Sequence, residues 1–361
     1  MKGKKRVKVT STTTPSSAKR LDWSKMKERA ARLVSDPSHT YGSAAEVLSS
    51  EFQVDVGPKS LELWAARNRI PKKVRTPVAE PPAHFFDVPV RPLAVSIPEP
   101  VTRAKGKYVS ALLYGDTHHP YHDEPTLAVV RAIGEDLQPD LLVDMGDGVD
   151  AGHLSAKFKQ DPMRVSGLQD EINLKREQLV QFRQAMPNSK YIYLEGNHEE
   201  RMRRAMWNME GPAKALIQLD VVQRTLTWPV LLGLDELFID FYSYDEQTKA
   251  ELLPKFILKH GTVVSQKSGH TALREMAKYG RSGASGHTHR LGVVWHRDFN
   301  GQHVWVETGC CTMLNPEYTQ DPDWTNACVV LTFERNTGAV QVEPIEIRRG
   351  HTLWRGKEYR A

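Results

Sequence analysis

The sequence predicts an α/β domain preceded by a small all-α domain, and three observations carry that expectation. From Lys107 onward, short apolar runs alternate with helical stretches, the pattern of strands joined by helices. Between residues 21 and 76, apolar side chains recur at helical spacing. Separating the two is a stretch studded with Pro77, Pro81, Pro82, Pro89, Pro92, Pro98 and Pro100, with no regular period, which reads as an extended linker. The expected organisation is a disordered basic arm at 1–20, a helical domain at 21–76, a linker at 77–106 and an α/β domain at 107–361.

In the helical part, Trp23, Met26, Ala30, Leu33 and Val34 line one face of a helix that Asp36-Pro37 closes. Ser43-Ala-Ala-Glu46 has the form of a capping box opening a second helix, whose apolar side is Ala45, Val47, Leu48 and Phe52. A turn at Val54 to Gly57 follows, Pro58 suits a first helical turn, and the third helix runs until Ile70-Pro71. This segment resembles a helix-turn-helix module whose last helix would present Lys59, Arg67 and Arg69 to nucleic acid. A three-helix bundle that binds protein, or caps the catalytic domain, has the same pattern.

Charge supports a polyanionic partner. Residues 1–76 hold 17 Lys and Arg against 7 Asp and Glu, so the front of the chain is +10 and the rest −5 within a total of +5. With 40% hydrophobic and 26% charged residues the composition is that of a soluble globular protein. No apolar run reaches a membrane span and the N-terminus lacks the apolar core of a signal peptide, so the expected location is the cytoplasm. Three cysteines, Cys310, Cys311 and Cys328, without a CxxC spacing, argue against a disulfide framework or a zinc ribbon and read as reduced core thiols.

The α/β part carries five short motifs, four of them directly behind strand-like runs. Tyr108–Tyr114 leads to Gly115-Asp116-Thr117-His118, and Leu141–Met145 leads to Gly146-Asp147-Gly148-Val149-Asp150. Lys190–Glu195 leads to Gly196-Asn197-His198-Glu199, and Phe256–Lys259 to His260-Gly261. Tyr279–Ser285, after a helical run at Thr271–Lys278, leads to Gly286-His287-Thr288-His289. Strand ends of open α/β sheets share one edge, so Asp116, His118, Asp147, Asn197, His260, His287 and His289 can converge there. Imidazole, carboxylate and amide oxygen together suit borderline divalent ions, manganese, iron, zinc or nickel, better than an all-oxygen calcium or magnesium site. One ion is too few for so many ligands, and two ions need a shared carboxylate.

The order DxH, GDxxD, GNHE, H, GHxH resembles that of the calcineurin-like metallophosphoesterases over about residues 107–320, in particular the bacteriophage and prophage type, as do the segment LLGLDELFIDF and Asp323-Trp324. The resemblance implies two mixed β-sheets packed as a sandwich flanked by helices. It implies two divalent metal ions, manganese as the first expectation: one held by Asp116, His118, Asp147 and His289, the other by Asp147, Asn197, His260 and His287. His198 would serve as charge stabiliser or proton donor at the leaving oxygen, with Asp150 orienting it, while a hydroxide shared by the two ions attacks phosphorus in line. If the chain is phage-encoded, its place is the host cytoplasm.

Departures from the pattern bear on substrate. The protein serine/threonine phosphatases of this family carry an Arg after GDxxD that grips phosphate, where Ala151-Gly152 stand here. The DNA-repair nucleases usually read GNHD where Glu199 stands here. Hairpin strands at Gly292–Asp298 with His303–Glu307, and Ala327–Glu334 with Val340–Ile347, are expected to complete the second sheet. His119, His122 and Asp123 read as a solvated loop beside the site, and Arg201, Arg203 and Arg204 as residues that either meet a phosphate chain or form an exposed helix face. The expected activity is a phosphodiesterase or nuclease acting on nucleic acid. The alternative is a phosphatase for small phosphomonoesters or phosphoproteins, with the front domain as a partner adaptor.

Overall fold

The computed structural model describes residues 22–35, 41–70, 100, 106–155, 167–248, 253, 255–265, 267–299, 301–316 and 322–361. The expected basic arm at 1–20, the Asp36-Pro37 helix stop and the linker at 77–106, except Pro100 and Gly106, lie outside them. The chain divides into two compact units, Met1–Pro89 and Val90–Ala361.

In the first unit, three helices, α1 (Trp23–Ser35), α2 (Tyr41–Phe52) and α3 (Pro58–Arg67), enclose one small core. Met26, Ala30, Leu33 and Val34 on α1 meet Ala44, Ala45 and Leu48 on α2 and Leu61, Trp64 and Ala65 on α3. Trp23 and Trp64 stack with ring centroids 5.1 Å apart. Gly57 caps α3 and Pro58 occupies its first turn, where a missing N–H costs nothing. The capping box at Ser43 is corrected: Tyr41 packs against the same core and starts α2 two residues earlier, so Ser43 is inside the helix. Lys59, Arg67 and Arg69 are all exposed, Arg69 beyond the helix end with φ 53°.

The second unit is built on two sheets. β1 (Tyr108–Tyr114), β2 (Leu141–Asp144), β3 (Lys190–Leu194) and β4 (Ile239–Tyr242) run parallel, joined through α4 (Glu124–Leu137), α5 (Leu168–Ala185) and a helical segment of α6 (Asn197–Trp207), α7 (Gly211–Ile217), α8 (Asp220–Thr225) and α9 (Trp228–Leu232). β5 (Phe256–Lys259), α10 (His270–Tyr279), β6 (Ser282–Ser285) and the hairpin β7 (Leu291–Asp298) with β8 (Gly301–Thr308) follow, and the second sheet has the order β5-β6-β8-β7. The hairpin β9 (Ala327–Glu334) with β10 (Val340–Glu346) joins the first sheet, whose order is β10-β9-β1-β2-β3-β4.

That placement corrects the expectation that both hairpins complete the second sheet. β9 reads ACVVLTF, apolar on both faces, so it needs cover on both sides, and it finds this antiparallel to β1. Side-chain parity then sorts the layers. Val109, Ala111, Leu113, Val329, Leu331 and Phe333 face the second sheet, where Phe256, Leu258, Ala284, Val304 and Val306 meet them. Leu112, Tyr114, Leu142, Tyr191, Tyr193 and Val330 face α4 and α5, through Val130, Ile133, Leu179 and Phe182. On the far face of the second sheet, Ala272 and Met276 of α10 cover Trp305. The result is a sandwich of two sheets with helices outside each, and the loops after β1, β2, β3, β5 and β6 gather at one edge.

The C-terminus adds a hairpin that the sequence reading did not contain, β11 (His351–Trp354) with β12 (Lys357–Arg360). Trp354 and Tyr359 bury against the α4 side, and the Tyr359 hydroxyl donates to Asp136 Oδ2 at 2.8 Å.

Candidate metal centre

Six of the seven predicted ligands come from loops at that common edge and Asn197 from the first turn of α6, and the described geometry gathers them into two groups. Asp116, His118 and His289 offer ligand atoms within 4.8 Å of one another, as do Asp147, His260 and His287. His118 Nε2 and His289 Nε2 are 2.9 Å apart, and His289 Nε2 is 3.3 Å from Asp116 Oδ1. Asp147 Oδ2 lies 3.2 Å from His260 Nε2 and 3.7 Å from His118 Nε2, so one carboxylate oxygen stands between the groups. Asn197 Oδ1 is 3.1 Å from His260 Nε2.

The backbone is bent to achieve this. Asp116, His118, Asp147, His287 and His289 all have positive φ, between 47° and 72°. The left-handed region is uncommon for residues other than glycine, and Asp and His tolerate it better than most. Five candidate ligands in it turn their side chains back toward a single centre. The motif glycines make the complementary room. A Cβ on Gly196 would stand 2.1 Å from Asp147 Oδ1, and one on Gly286 2.4 Å from Asp116 Oδ2. Each glycine thus vacates the space that another motif's carboxylate fills.

Electrostatics matches the donor chemistry. Burial, followed by neighbouring imidazoles, carries His118 and His287 down to about 4 and, with Asp147 opposing, His289 down to about 3, so these rings are neutral at neutral pH, the form in which an imidazole can bind a metal. Burial works against charge on His260 too, but Asp147 outweighs it and carries that ring up to about 10. Burial raises Asp116 to about 6. Two neutral imidazole nitrogens facing at 2.9 Å hold at most one hydrogen between them, and buried carboxylates crowd the same point. A divalent cation in each group would satisfy these atoms together, so the residues fit a dinuclear centre of mixed nitrogen and oxygen ligands.

His198 and Asp150 stand at the rim. His198 opens α6, and its backbone N–H donates to Asp147 Oδ1 at 2.8 Å, placing the carboxylate at the positive end of the helix. His198 Nδ1 donates to the Asp150 carbonyl oxygen at 2.7 Å, while its Nε2 is 3.8 Å from Asp147 Oδ2. Asp150 Oδ1 lies 3.3 Å from His198 Nδ1 and 3.4 Å from His118 Nδ1, so the hydrogen bond that orients His198 runs to the main chain of Asp150 and its carboxylate sits between two rings.

Supporting residues that sequence reasoning passed over are now visible. Glu199 is fully buried, and its Oε2 accepts from the Asp147 and Gly196 amides at 3.1 and 2.9 Å. Its Oε1 accepts from Gly148 and Val149 at 2.7 and 3.2 Å and from the Tyr193 hydroxyl at 2.7 Å. The signal for it was a Glu three positions after the Gly that caps α6, the reach-back half of a capping box. Gln247 fixes His260 by accepting its amide at 2.8 Å while its own amide group donates to the Glu195 carbonyl at 2.7 Å. The His260 ring is set by Nδ1 donating to the Met145 carbonyl at 2.8 Å.

The loop after His118 differs from its solvated reading. His119 is buried with its ring stacked on His122, centroids 4.1 Å apart, and Asp123 caps α4 by accepting from the Thr126 amide at 3.0 Å. The three arginines divide: Arg203 pairs with Glu195 at 3.1 Å and Arg204 with Glu200 at 2.7 Å, whereas Arg201 turns to the site. Lys59, Arg67 and Arg69 belong to the other unit. Trp324 meets the His289 ring edge-on at 4.2 Å, and Arg290 Nε donates to Asp323 at 2.9 Å.

A family model described as calcineurin-like phosphoesterase matches residues 110–291. The chain is 31% identical over 254 residues to the Gene 54 protein of Mycobacterium phage L5 and 28% identical over 254 residues to that of Mycobacterium phage D29. Each match covers 65% of this chain and 92% of the relative. Among solved structures, it is similar to vacuolar protein sorting 29 from Cryptosporidium parvum, at 12% identity and a TM-score of 0.33 over 71% of this chain and 97% of that one. It is similar also to the phosphoesterase YfcE of E. coli, at 12% identity and a TM-score of 0.29 over 65% of this chain and 98% of that one.

Proposed function

Because the chain belongs to the calcineurin-like phosphoesterase family, a family of phosphoester hydrolases, we propose that it cleaves phosphodiesters of nucleic acid at a dinuclear metal centre on Asp147. The observation that carries the dinuclear reading is the position of Asp147 Oδ2, 3.2 Å from His260 Nε2 and 3.7 Å from His118 Nε2. Asp116, His118, Asp147 and His289 would hold one cation, and Asp147, Asn197, His260 and His287 the other. Two divalent ions there, manganese being our first choice, would acidify water and offset charge on the phosphoryl group.

The protein's own groups supply the rest. Asp147 is held in place from both sides, by the α6 amide on Oδ1 and by the Glu199 clamp on its loop. The Asp150 carbonyl holds the His198 proton on Nδ1, so Nε2 is the atom left to meet a phosphate bound at Asp147. Positioned 3.8 Å from Asp147 Oδ2, that nitrogen would, once protonated, stabilise charge on, or hand a proton to, the leaving oxygen.

The nucleic-acid substrate is supported by the +10 charge of residues 1–76 and by the exposed Lys59, Arg67 and Arg69 on and after α3. The test is a panel of single- and double-stranded DNA, RNA, nucleotides and chromogenic mono- and diesters, run with manganese, nickel, zinc and magnesium in turn. Cleavage of polynucleotides that falls with added salt is the expected result. Turnover of monoesters alone, with no retention of polynucleotide, would instead assign the front unit to a protein partner and the centre to a phosphatase. Protein stripped of metal is expected to cut nothing and to recover on reloading.

A further inference from the structure

Arg201 lies one turn beyond His198 on α6, on the same face of the helix. Its Nη1 donates to the Asp150 carbonyl at 2.7 Å and its Nη2 lies 2.8 Å from His198 Nε2. The Asp150 carbonyl can only accept, so it holds the His198 proton on Nδ1, and the Nε2 lone pair takes the Arg201 N–H. Arg201 is half-buried, yet no carboxylate among the described residues lies within 4 Å of its guanidinium, unlike Arg203 with Glu195 and Arg204 with Glu200. A guanidinium anchored in this way, with no ion-pair partner within 4 Å among the described residues, can receive an anion. The two residues that follow Asp150, Ala151 and Gly152, provide no cation of their own.

We propose that Arg201 is a catalytic residue that touches substrate: its Nη2 donates to one non-bridging phosphoryl oxygen, which replaces the contact between Nη2 and His198 Nε2 and so frees that Nε2 to take a proton from solvent and donate to the same oxygen. The proposal rests on the reading that the phosphate ester reacts at Asp147. Nη1 stays on the Asp150 carbonyl, so the guanidinium is pre-set and the oxygen meets a fixed donor. A plain structural role for Arg201, bracing Asp150 and His198, predicts a different pattern of loss.

The experiment is titration calorimetry of inorganic phosphate into manganese-loaded full-length protein, for the parent, Arg201→Ala and Arg201→Lys, with kinetics on bis-p-nitrophenyl phosphate in parallel. A hydrogen bond from a charged donor is worth enough that Arg201→Ala is expected to weaken phosphate binding by about 10- to 100-fold. Arg201→Lys, which keeps a point charge but loses the fork, is expected to fall between the two, and millimolar guanidinium to restore part of the Arg201→Ala loss. Phosphate affinity within twofold of the parent in both variants, with only kcat lowered, overturns the proposal and leaves Arg201 as a brace for His198. Should Arg201→Ala fail to fold, by circular dichroism and metal content, Arg201→Lys decides alone. A parent that binds phosphate through Arg201 but hydrolyses no ester upholds the contact and refutes the assigned reaction, so the two failures are distinguishable.

Discussion

Replacing Glu199 by Gln is expected to loosen the loop that presents Asp147, and the structure sets the size of the effect. Five donors converge on this carboxylate: the amides of Asp147, Gly148, Val149 and Gly196 and the hydroxyl of Tyr193. Burial, and then the charge of Asp147, push the Glu199 carboxyl up, but its acid form would bring a sixth hydrogen into a cage of donors, so the loop requires the carboxylate. A glutamine that keeps its oxygen at the Oε1 position turns an NH2 group toward the Asp147 and Gly196 amides, removing two charge-assisted bonds. At about 1.5–3 kcal/mol each that is a loss of about 3–6 kcal/mol. Total stabilities run to about 5–15 kcal/mol, so the substitution removes a large fraction. At about 2 °C per kcal/mol for a unit of this size, the unfolding midpoint should fall by about 6 °C or more. The assay is thermal unfolding by circular dichroism, with metal content by mass spectrometry of the folded fraction, and Tyr193→Phe as the control that removes one donor of the five. A midpoint within 2 °C of the parent, with unchanged metal content, refutes the clamp.

Three further outcomes are expected. Asp147→Asn should lower ester hydrolysis by about 1000-fold or more, because the shared carboxylate supports several kcal/mol of transition-state stabilisation, and should bind fewer metal ions than the parent in the same mass-spectrometric measurement. Burial carries the Glu171 carboxyl up to about 8 from 4.5, so it keeps its proton in the fold and loses it in the unfolded chain; its contribution is whole below pH 4.5 and is lost as pH rises through 8. Glu171→Gln, a fixed neutral mimic whose oxygen can still accept the Ala151 amide, should therefore match the parent near pH 4.5 and exceed it above pH 8 by an amount on the order of a few kcal/mol, read by denaturant titration across that range. Lys59→Glu, Arg67→Glu and Arg69→Glu combined should flatten the salt dependence of DNA retention by about 2 to 3 in log–log slope, and an unchanged slope would turn the front unit toward a protein partner.

What the sequence disclosed, and what it withheld, follows from how local each cause is. The strands that carry the ligands stood out because β1, β2 and β3 are apolar on both faces, a consequence of burial between α4–α5 and the second sheet. Motif order pointed to the candidate ligands, since the first three motifs each follow one such strand. The sheet that β9 joins was not legible, because both hairpins look alike as hairpins and only the vacant edge of β1 distinguishes them. The last hairpin escaped because its turn, Arg355-Gly356, has positive φ at both central residues without the Asn-Gly or Asp-Gly pair that marks such turns.

The same distinction explains the centre itself. A ligand's identity is written in one residue, whereas its direction is imposed from elsewhere, and at this site the direction costs the backbone five left-handed residues. Such a conformation persists only where surrounding contacts over-determine it. Gly196 and Gly286 clear space for carboxylates from other loops, Gln247 and Met145 fix His260, and Glu199 gathers four amides from two loops around one buried charge. Asp147 can face both triads because Gly196 has no side chain and Glu199 has a long one. A shorter carboxylate at 199 would have to draw those loops inward to keep the same bonds, and Asp147 Oδ2 would move with them, away from one of the two histidines it now serves. The residue after His198 therefore supports the candidate metal centre through the loops that carry Asp147 and Gly196, although it touches no position where an ion would sit.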